Sequence, residues 1–312
     1  MQRIVIVTPA AAGARSGNRH TALRWASLLR GAGHRVRVVA QWQGEPCDTL
    51  VALHARRSHP SIVRFARERA GKRLVVVLTG TDLYRDLPDS ADARQSLELA
   101  HRVVVLQEAA LRELAGAIRR KARVVYQSAD PKLRHAPPDG RFRVAVIGHL
   151  RAEKDPMRTA LALEHLRAKQ VEVVHLGAAL DPALCKEAQR WMAREPRYRW
   201  LGSVTHSRAL AWLARSHVLV VSSAMEGGAN VIAEAARVGT PVIASRVSGN
   251  VGMLGRDYPG YFPLYQEKRL AGLLARAATD KGFYRRLKQC LLKRRPLFAP
   301  AAERKALIAA IH

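Results

Sequence analysis

Short apolar runs of strand length alternate with longer stretches whose apolar residues recur at helical spacing, almost from end to end of the chain. The runs at 3–7, 35–40, 49–53, 74–78, 102–106 and 123–127 are rich in valine, isoleucine and leucine and predict buried parallel strands. A second series at 142–147, 171–176, 199–201, 217–222 and 241–245 repeats the pattern. Between the two lies Asp130 to Gly140, which is proline-rich, lacks a period and reads as a linker. Residues 296–312 read as a mainly helical tail that packs back on the first half. The pattern predicts an α/β chain of two Rossmann-like, doubly wound domains, 1–135 and 136–295, facing a cleft with ligands at the carboxyl ends of the strands.

Composition narrows the chemistry. A chain of 312 residues with 48% apolar content accommodates two such cores. Lysine and arginine number 53 against 25 acidic residues, a net charge of +28, so the surface attracts anions such as nucleotides, phosphates, nucleic acid or acidic lipid. The arginines are spread throughout, aromatic residues make up only 5%, and no stretch resembles a nucleic-acid-binding module, so no nucleic-acid partner is expected. The opening Met1 to Pro9 is a strand pattern cut by proline, too short for a signal peptide, and no segment offers the roughly 20 apolar residues of a membrane span. Cys47, Cys185 and Cys290 are scattered and odd in number, which fits a reducing cytoplasm.

The most informative stretch is Ser222 to Ala235, where Glu226 and Glu234, separated by seven residues, bracket Gly227 and Gly228 and the start of a helix. The apolar run before it is a strand, and Val231 to Val238 reads as a helix closed by Gly239 and Pro241. The glycines and Ala229 let backbone N–H groups approach a ligand, and Asn230, as N-cap, aims the helix's positive end at an anion such as a diphosphate. Glu226 is then placed for sugar hydroxyls and Glu234 for the ribose diol. Taken singly, each is also an ordinary helix-start acid. At the opening of the second half, Gly148 permits a close turn, while Arg151 and Lys154 supply cations for a diphosphate or, more plainly, a solvated loop.

In the first half, Ala10 to His20 joins the first strand to the first helix and contributes Arg15, Gly17, Arg19 and His20 to the cleft edge. Its lack of G-x-G-x-x-G argues against nicotinamide or flavin. His54, Arg56 and Arg57 follow the third strand and suit an anionic acceptor, with solvated loop cations as the plainer alternative. Thr81 and Asp82 follow the fourth strand, where Asp82 fits an N-cap equally well. No Asp-x-Asp and no histidine pair at helical ligand spacing is present, so no metal is expected.

Glu226 through Glu234, with Gly148 to Lys154, resembles the retaining, family-4-type glycosyltransferases of the GT-B fold, and Gly33 to Val36, Thr79 to Asp82 and Leu201 to Val204 are similar to further landmarks of that family. The resemblance implies donor-sugar contacts for Glu226, ribose contacts for Glu234 and a base pocket at Val204. His149 stands where that family's diphosphate motif carries arginine, leaving the role to Arg151 or to His149 itself. A narrower resemblance, at Leu53 to His59, Glu226 to Ala235 and Gly249 to Phe262, is to the selenosugar synthases of selenoneine biosynthesis. It implies transfer of glucose or N-acetylglucosamine from a UDP-sugar to selenophosphate, UDP-sugar being a co-substrate with no cofactor. Phosphate is then lost, and downstream selenium-pathway enzymes are implied as partners. Arg151, Lys154 and Glu226 are the expected catalytic residues, with the leaving UDP held by protein cations and no general base needed. The alternatives are a conventional transferase acting on a cell-envelope lipid or saccharide, a UDP-sugar epimerase, and a basic non-catalytic nucleic-acid-binding protein.

Overall fold

The computed structural model describes residues 1–9 and 17–312. These divide into two compact units, Met1–Ser128 with Ala299–His312, and Ala129–Phe298.

The first unit is built on a six-stranded sheet of β1 (Arg3–Val7), β2 (Arg35–Val39), β3 (Thr49–Leu53), β4 (Arg73–Leu78), β5 (Arg102–Val105) and β6 (Ala122–Val124). All neighbours are parallel, in the order β2-β1-β3-β4-β5-β6. Alternate residues feed opposite faces, as the pleat requires. Leu50 and Ala52 of β3, with Leu74, Val76 and Leu78 of β4, meet Trp42, Phe65 and Leu97 on one side. Val51, Leu53, Val75 and Val77 meet Trp25 and Leu29 of the helix Gly17–Arg30 on the other, together with Leu307 and Ile311. Strand order reverses between β1 and β3, so the chain leaves these two strands toward opposite sides at their carboxyl ends.

The second unit repeats the architecture with β7 (Phe142–Ile147), β8 (Val171–Leu176), β9 (Tyr198–Trp200), β10 (Val218–Val221), β11 (Val242–Ser245) and β12 (Tyr261–Phe262). Its order is β12-β11-β10-β7-β8-β9, and the reversal falls between β7 and β10. β12, a two-residue edge strand, is the one that periodicity did not anticipate, because two residues cannot display an alternation.

The unit boundaries differ from the sequence reading by a few residues, for reasons visible in hydrogen bonding. The proline-rich segment forms no helix or strand, but His135 N–H donates to Val238 O at 3.1 Å and Ala136 N–H to Ala214 O at 2.9 Å. It therefore belongs to the second unit, and the boundary falls after Ser128 instead of after His135. The turn Arg295–Phe298 also stays with that unit, with Phe298 fully buried and its carbonyl accepting from Ala129 N–H at 3.2 Å. The helix Pro300–Ile311 belongs to the first unit and is fastened there by one acid. Glu303, 1% exposed, accepts from Trp25 Nε1 at 2.7 Å, Arg24 Nε at 3.0 Å, and the backbone N–H and hydroxyl of Ser128 at 2.9 and 2.5 Å.

Replacing Glu303 with alanine leaves four donors without their shared acceptor, so unfolding in urea is expected to show a loss of about 3 kcal/mol. An unchanged midpoint would mean that apolar contacts alone hold the terminal helix.

Candidate active site

At the strand reversal of the second unit, the loops leaving β7 and β10 emerge side by side, because Val144 pairs with Val218 and Val146 with Val220. Backbone and side-chain bonds tie them together. Ala224 N–H donates to Glu153 O at 2.9 Å, and Ser222 Oγ donates to Lys154 O and Asp155 O at 3.1 and 2.8 Å. Asp155 takes a left-handed conformation, φ 44°, where the chain turns back toward its helix.

Across these loops Lys154 Nζ donates to Glu226 Oε1, which also accepts from Ser223 Oγ at 2.6 Å. Two of the three expected catalytic residues thus meet in one ion pair, with side chains 23% and 8% exposed. The third, Arg151, is exposed beside them and its guanidinium makes no ion pair among the described residues. Glu226 is backed by the helix Ser248–Leu254: a Cβ on Gly249 would lie 1.9 Å from Glu226 O and 2.7 Å from its Cβ. Asn250, fully buried, donates to Ser245 O and Oγ at 3.0 Å each, and Ser245 Oγ donates to Ser223 O at 2.6 Å. A continuous polar chain therefore runs from Asn250 to the Glu226 carboxylate.

The glycine turn after β7 is shaped differently from its sequence reading. A Cβ on Gly148 would meet nothing closer than the Lys154 stem at 3.9 Å, so the close approach does not depend on Gly148. It depends on Gly177, φ 156°, whose added Cβ would fall 2.0 Å from Gly148 O. His175 supports the turn from beneath, with Nε2 3.1 Å from Gly148 O and Nδ1 2.8 Å from Tyr198 OH. Complete burial pushes its pKa down to about 4, so neutral His175 donates from Nε2 to the carbonyl and accepts from the tyrosine. His149 Nδ1 accepts from Ala178 N–H at 3.0 Å, which commits that nitrogen to the turn.

The helix after β10 runs Asn230–Val238, and its N-cap is Ala229 where the sequence reading placed Asn230; Asn230 is its first residue. Ala229 has no polar side chain, so the helix starts without a side-chain cap. Glu234 lies one turn further on, its side chain 16% exposed, and its Oε1 is 2.8 Å from His206 Nε2. His206 opens the helix His206–Ala214, two residues after half-buried Val204, so this bond brings the expected base and ribose contacts to one place. The hydrogen bond to Glu234 raises the His206 pKa despite partial desolvation. Sequence spacing carried no signal for His206 or Gly177, because each meets its partner, Glu234 or Gly148, only through tertiary packing. Ser223 and Asn250 bond to Glu226 and Ser245 within a few residues and were missed because small polar loop residues carry no distinctive pattern.

The expected acceptor residues lie at the carboxyl edge of the first unit's sheet. Arg15 lies outside the described residues. Gly17, Arg19 and His20 occupy the first turn of the helix after β1, with Arg19 half-buried and His20 exposed. His54, φ 75° and 1% exposed, is a strained residue at the end of β3. Its Nδ1 accepts from Arg57 N–H at 3.3 Å, and its Nε2 is 3.2 Å from Thr81 Oγ. Burial lowers its pKa, the nearby Asp82 opposing this, so the ring is a neutral strut. Asp82, fully buried, accepts from the N–H groups of Thr79, Gly80 and Ala55 at 2.7, 2.9 and 3.0 Å. It ties the β3 and β4 loops together and is not an N-cap; Thr81 precedes the helical turn it opens. His54 and Asp82 therefore shape this edge from within, while Arg56 and Arg57 stand exposed on it.

Among the described residues, no group of three or more histidine, cysteine or acidic side chains is arranged to hold a metal ion, and no helix is long and apolar enough to cross a membrane.

Two expectations follow from this geometry. Gly249→Ala displaces the Glu226 backbone by an ångström or so, and turnover is expected to fall about 100-fold with the fold intact by circular dichroism. The His206 imidazole is expected to titrate above its ordinary 6.5 by NMR and to return toward it in Glu234→Gln. Because its pKa is raised in the folded chain, the pair's stabilising contribution is complete below the unfolded value and fades as pH rises through the folded one.

Residues 141–290, most of the second unit, match the family described as Glycosyl transferases group 1. Over 277 residues the chain is 26% identical to glycosyltransferase 1 domain-containing protein 1 of Xenopus tropicalis, covering 79% of this chain and 80% of that one. Anabaena HepE, solved in complex with UDP and glucose, is similar in structure with a TM-score of 0.78 at 18% identity, covering 99% of both chains. Sucrose-phosphate synthase from Thermosynechococcus elongatus reaches 0.77 at 18% identity, covering 98% of this chain and 97% of that one. With two parallel six-stranded sheets and a match to the group 1 glycosyl transferases over residues 141–290, a range that includes Lys154 and Glu226, the chain is a glycosyltransferase of the GT-B fold.

Proposed function

We propose that this glycosyltransferase moves glucose or N-acetylglucosamine from a UDP-sugar to selenophosphate, independently of a metal, giving a 1-selenosugar. The observation that carries the reading is the meeting of Lys154 and Glu226 at the strand reversal, with Glu234 on the helix that follows. Glu226 Oε1 is taken by Lys154 and Ser223, so Oε2 accepts from the donor-sugar hydroxyls. Glu234 receives the ribose diol beside His206, with the base against Val204. The backbone of Gly148 and of Gly227 to Asn230 surrounds the diphosphate. Similarity to HepE, solved with UDP and with UDP-glucose, supports a UDP-sugar donor.

For the acceptor, support comes from exposed Arg56 and Arg57, and from His54 and Asp82 having their polar atoms engaged internally. A loop whose histidine and carboxylate are so committed suits a nucleophile that arrives already deprotonated, as a selenium anion does. The narrower resemblance at Leu53 to His59 and Gly249 to Phe262 directs the choice to selenophosphate. Gly249, in the second of these segments, presses on Glu226 itself.

In the reaction, selenium forms a bond to the anomeric carbon as the carbon–oxygen bond to the β-phosphate breaks, its electron pair leaving with UDP. Lys154 and Arg151 stabilise the charge that develops on the diphosphate. Water then cleaves the phosphorus–selenium bond, releasing phosphate and the selenosugar.

Purified protein is expected to release UDP from UDP-N-acetylglucosamine or UDP-glucose only when selenophosphate is present, with a product of selenosugar mass. Release dependent on a lipid or saccharide acceptor instead would overturn the selenium assignment. Lys154→Ala is expected to lower kcat by roughly 100- to 1,000-fold, and near-normal turnover would remove Lys154 from the leaving-group role.

A further inference from the structure

Asp86 is a buried carboxylate that no sequence motif singles out. Its side chain is 4% exposed, yet two half-exposed arginines converge on it: Arg56 Nε lies 3.0 Å from Oδ2 and Arg85 Nε 3.5 Å from Oδ1. The contact with Arg56 is ionic without being an aligned hydrogen bond, and Oδ2 has no hydrogen-bond partner among the described residues although it is shut off from solvent. A buried acceptor in that condition calls for an explanation in terms of what it holds in place.

The local backbone is built to create this meeting. Leu87 N–H bonds to Asp82 O, closing a wide π-helical turn over Asp82–Asp86, and such turns concentrate at functional sites. Asp82 and Asp86 share one side of the turn. Asp82 reaches the N–H of Ala55, while Asp86 faces Arg56 and lies 3.7 Å from neutral His54. The charge of Asp82 is met by three backbone N–H groups, and that of Asp86 by two guanidinium groups. With Arg57 beside them the edge keeps a positive surplus. Each guanidinium meets Asp86 through Nε, one of its five N–H donors.

We propose that Arg56 and Arg85, anchored on the buried Asp86 carboxylate, form a two-guanidinium clamp for the tetrahedral oxyanion group of the acceptor. Arg85 thereby becomes an acceptor-binding residue and Asp86 a positioning residue. Planar forks fixed on one carboxylate grip a phosphate-like group at several oxygens, which a flexible lysine pair would not do. The inference deepens the acceptor half of the proposed function and rests on that reading for the identity of the substrate.

The test is titration of the full chain with inorganic phosphate at constant ionic strength, by calorimetry, with no donor and no turnover. Arg56→Gln and Arg85→Gln are each expected to weaken phosphate binding about tenfold, and the double variant less than the product of the two, since both act on one ion. Arg67→Gln, which removes a 79% exposed arginine elsewhere on the first unit, controls for bulk charge and is expected to change nothing measurable. Equal small effects in all three single variants, or no saturable phosphate binding by the parent chain, would overturn the clamp. Should either glutamine variant fail to fold, Arg85→Lys keeps the charge and loses the fork; it is expected to weaken phosphate binding severalfold, and parent-like affinity would overturn the clamp. A clamp that passes in a chain inert toward selenophosphate leaves the oxyanion site standing and discards only the selenium acceptor. Selenosugar formation by variants with an unchanged KM for selenophosphate does the reverse.

Discussion

The ion pair between Lys154 and Glu226 is the contact on which the loop cluster at the second unit's strand reversal depends. Burying a carboxylate is costly unless donors meet it, and here Lys154 comes from the β7 loop and Ser223 from the β10 loop. The pair can form only because strand order reverses between β7 and β10, which sets two sequence-distant loops side by side. Everything around it holds the two loops in register. Ser222 secures the carbonyls of Lys154 and Asp155, Ser245 secures Ser223, and Asn250 secures Ser245. Gly249 is the residue that lets the next helix close on the Glu226 backbone.

The same device recurs elsewhere in a chain that is strongly basic. Acids are scarce against 53 lysines and arginines, and several of them are buried where they organise donors instead of decorating the surface. Glu303 gathers Arg24, Trp25 and Ser128 to hold the terminal helix. Asp82 gathers three backbone N–H groups at the β3 and β4 loops, and Asp86 gathers Arg56 and Arg85 next to them. Net charge alone therefore describes this protein poorly. The positive surplus is general, but the directions in which cations point are set by a few buried carboxylates.

The alternation of apolar runs and helical stretches was enough for the α/β architecture, because period and strand length are local properties of the chain. Ten of the twelve strands lie within a residue or two of their sequence-read positions, β6 ends three residues earlier than read, and β12 was too short to show a pattern. The glutamate pair was legible for a similar reason, since one strand, one loop and one helix carry both residues. What local pattern could not supply was partnership. Glu226 reads as a loop acid until Lys154 is seen across it, Gly148 looks like the demanding glycine until Gly177 is found beneath it, and His54 looks like a ligand until its burial is known.

The sequence by itself determined the two doubly wound units and the edge of each sheet on which chemistry belongs, because hydrophobic period and strand-to-helix loops are written along the chain. Only the tertiary structure decided which of the candidate residues stand exposed and which are buried and hold the others in place. Ion pairing, burial and close backbone approach depend on neighbours brought together by strand order, and 72 positions separate even Lys154 from Glu226.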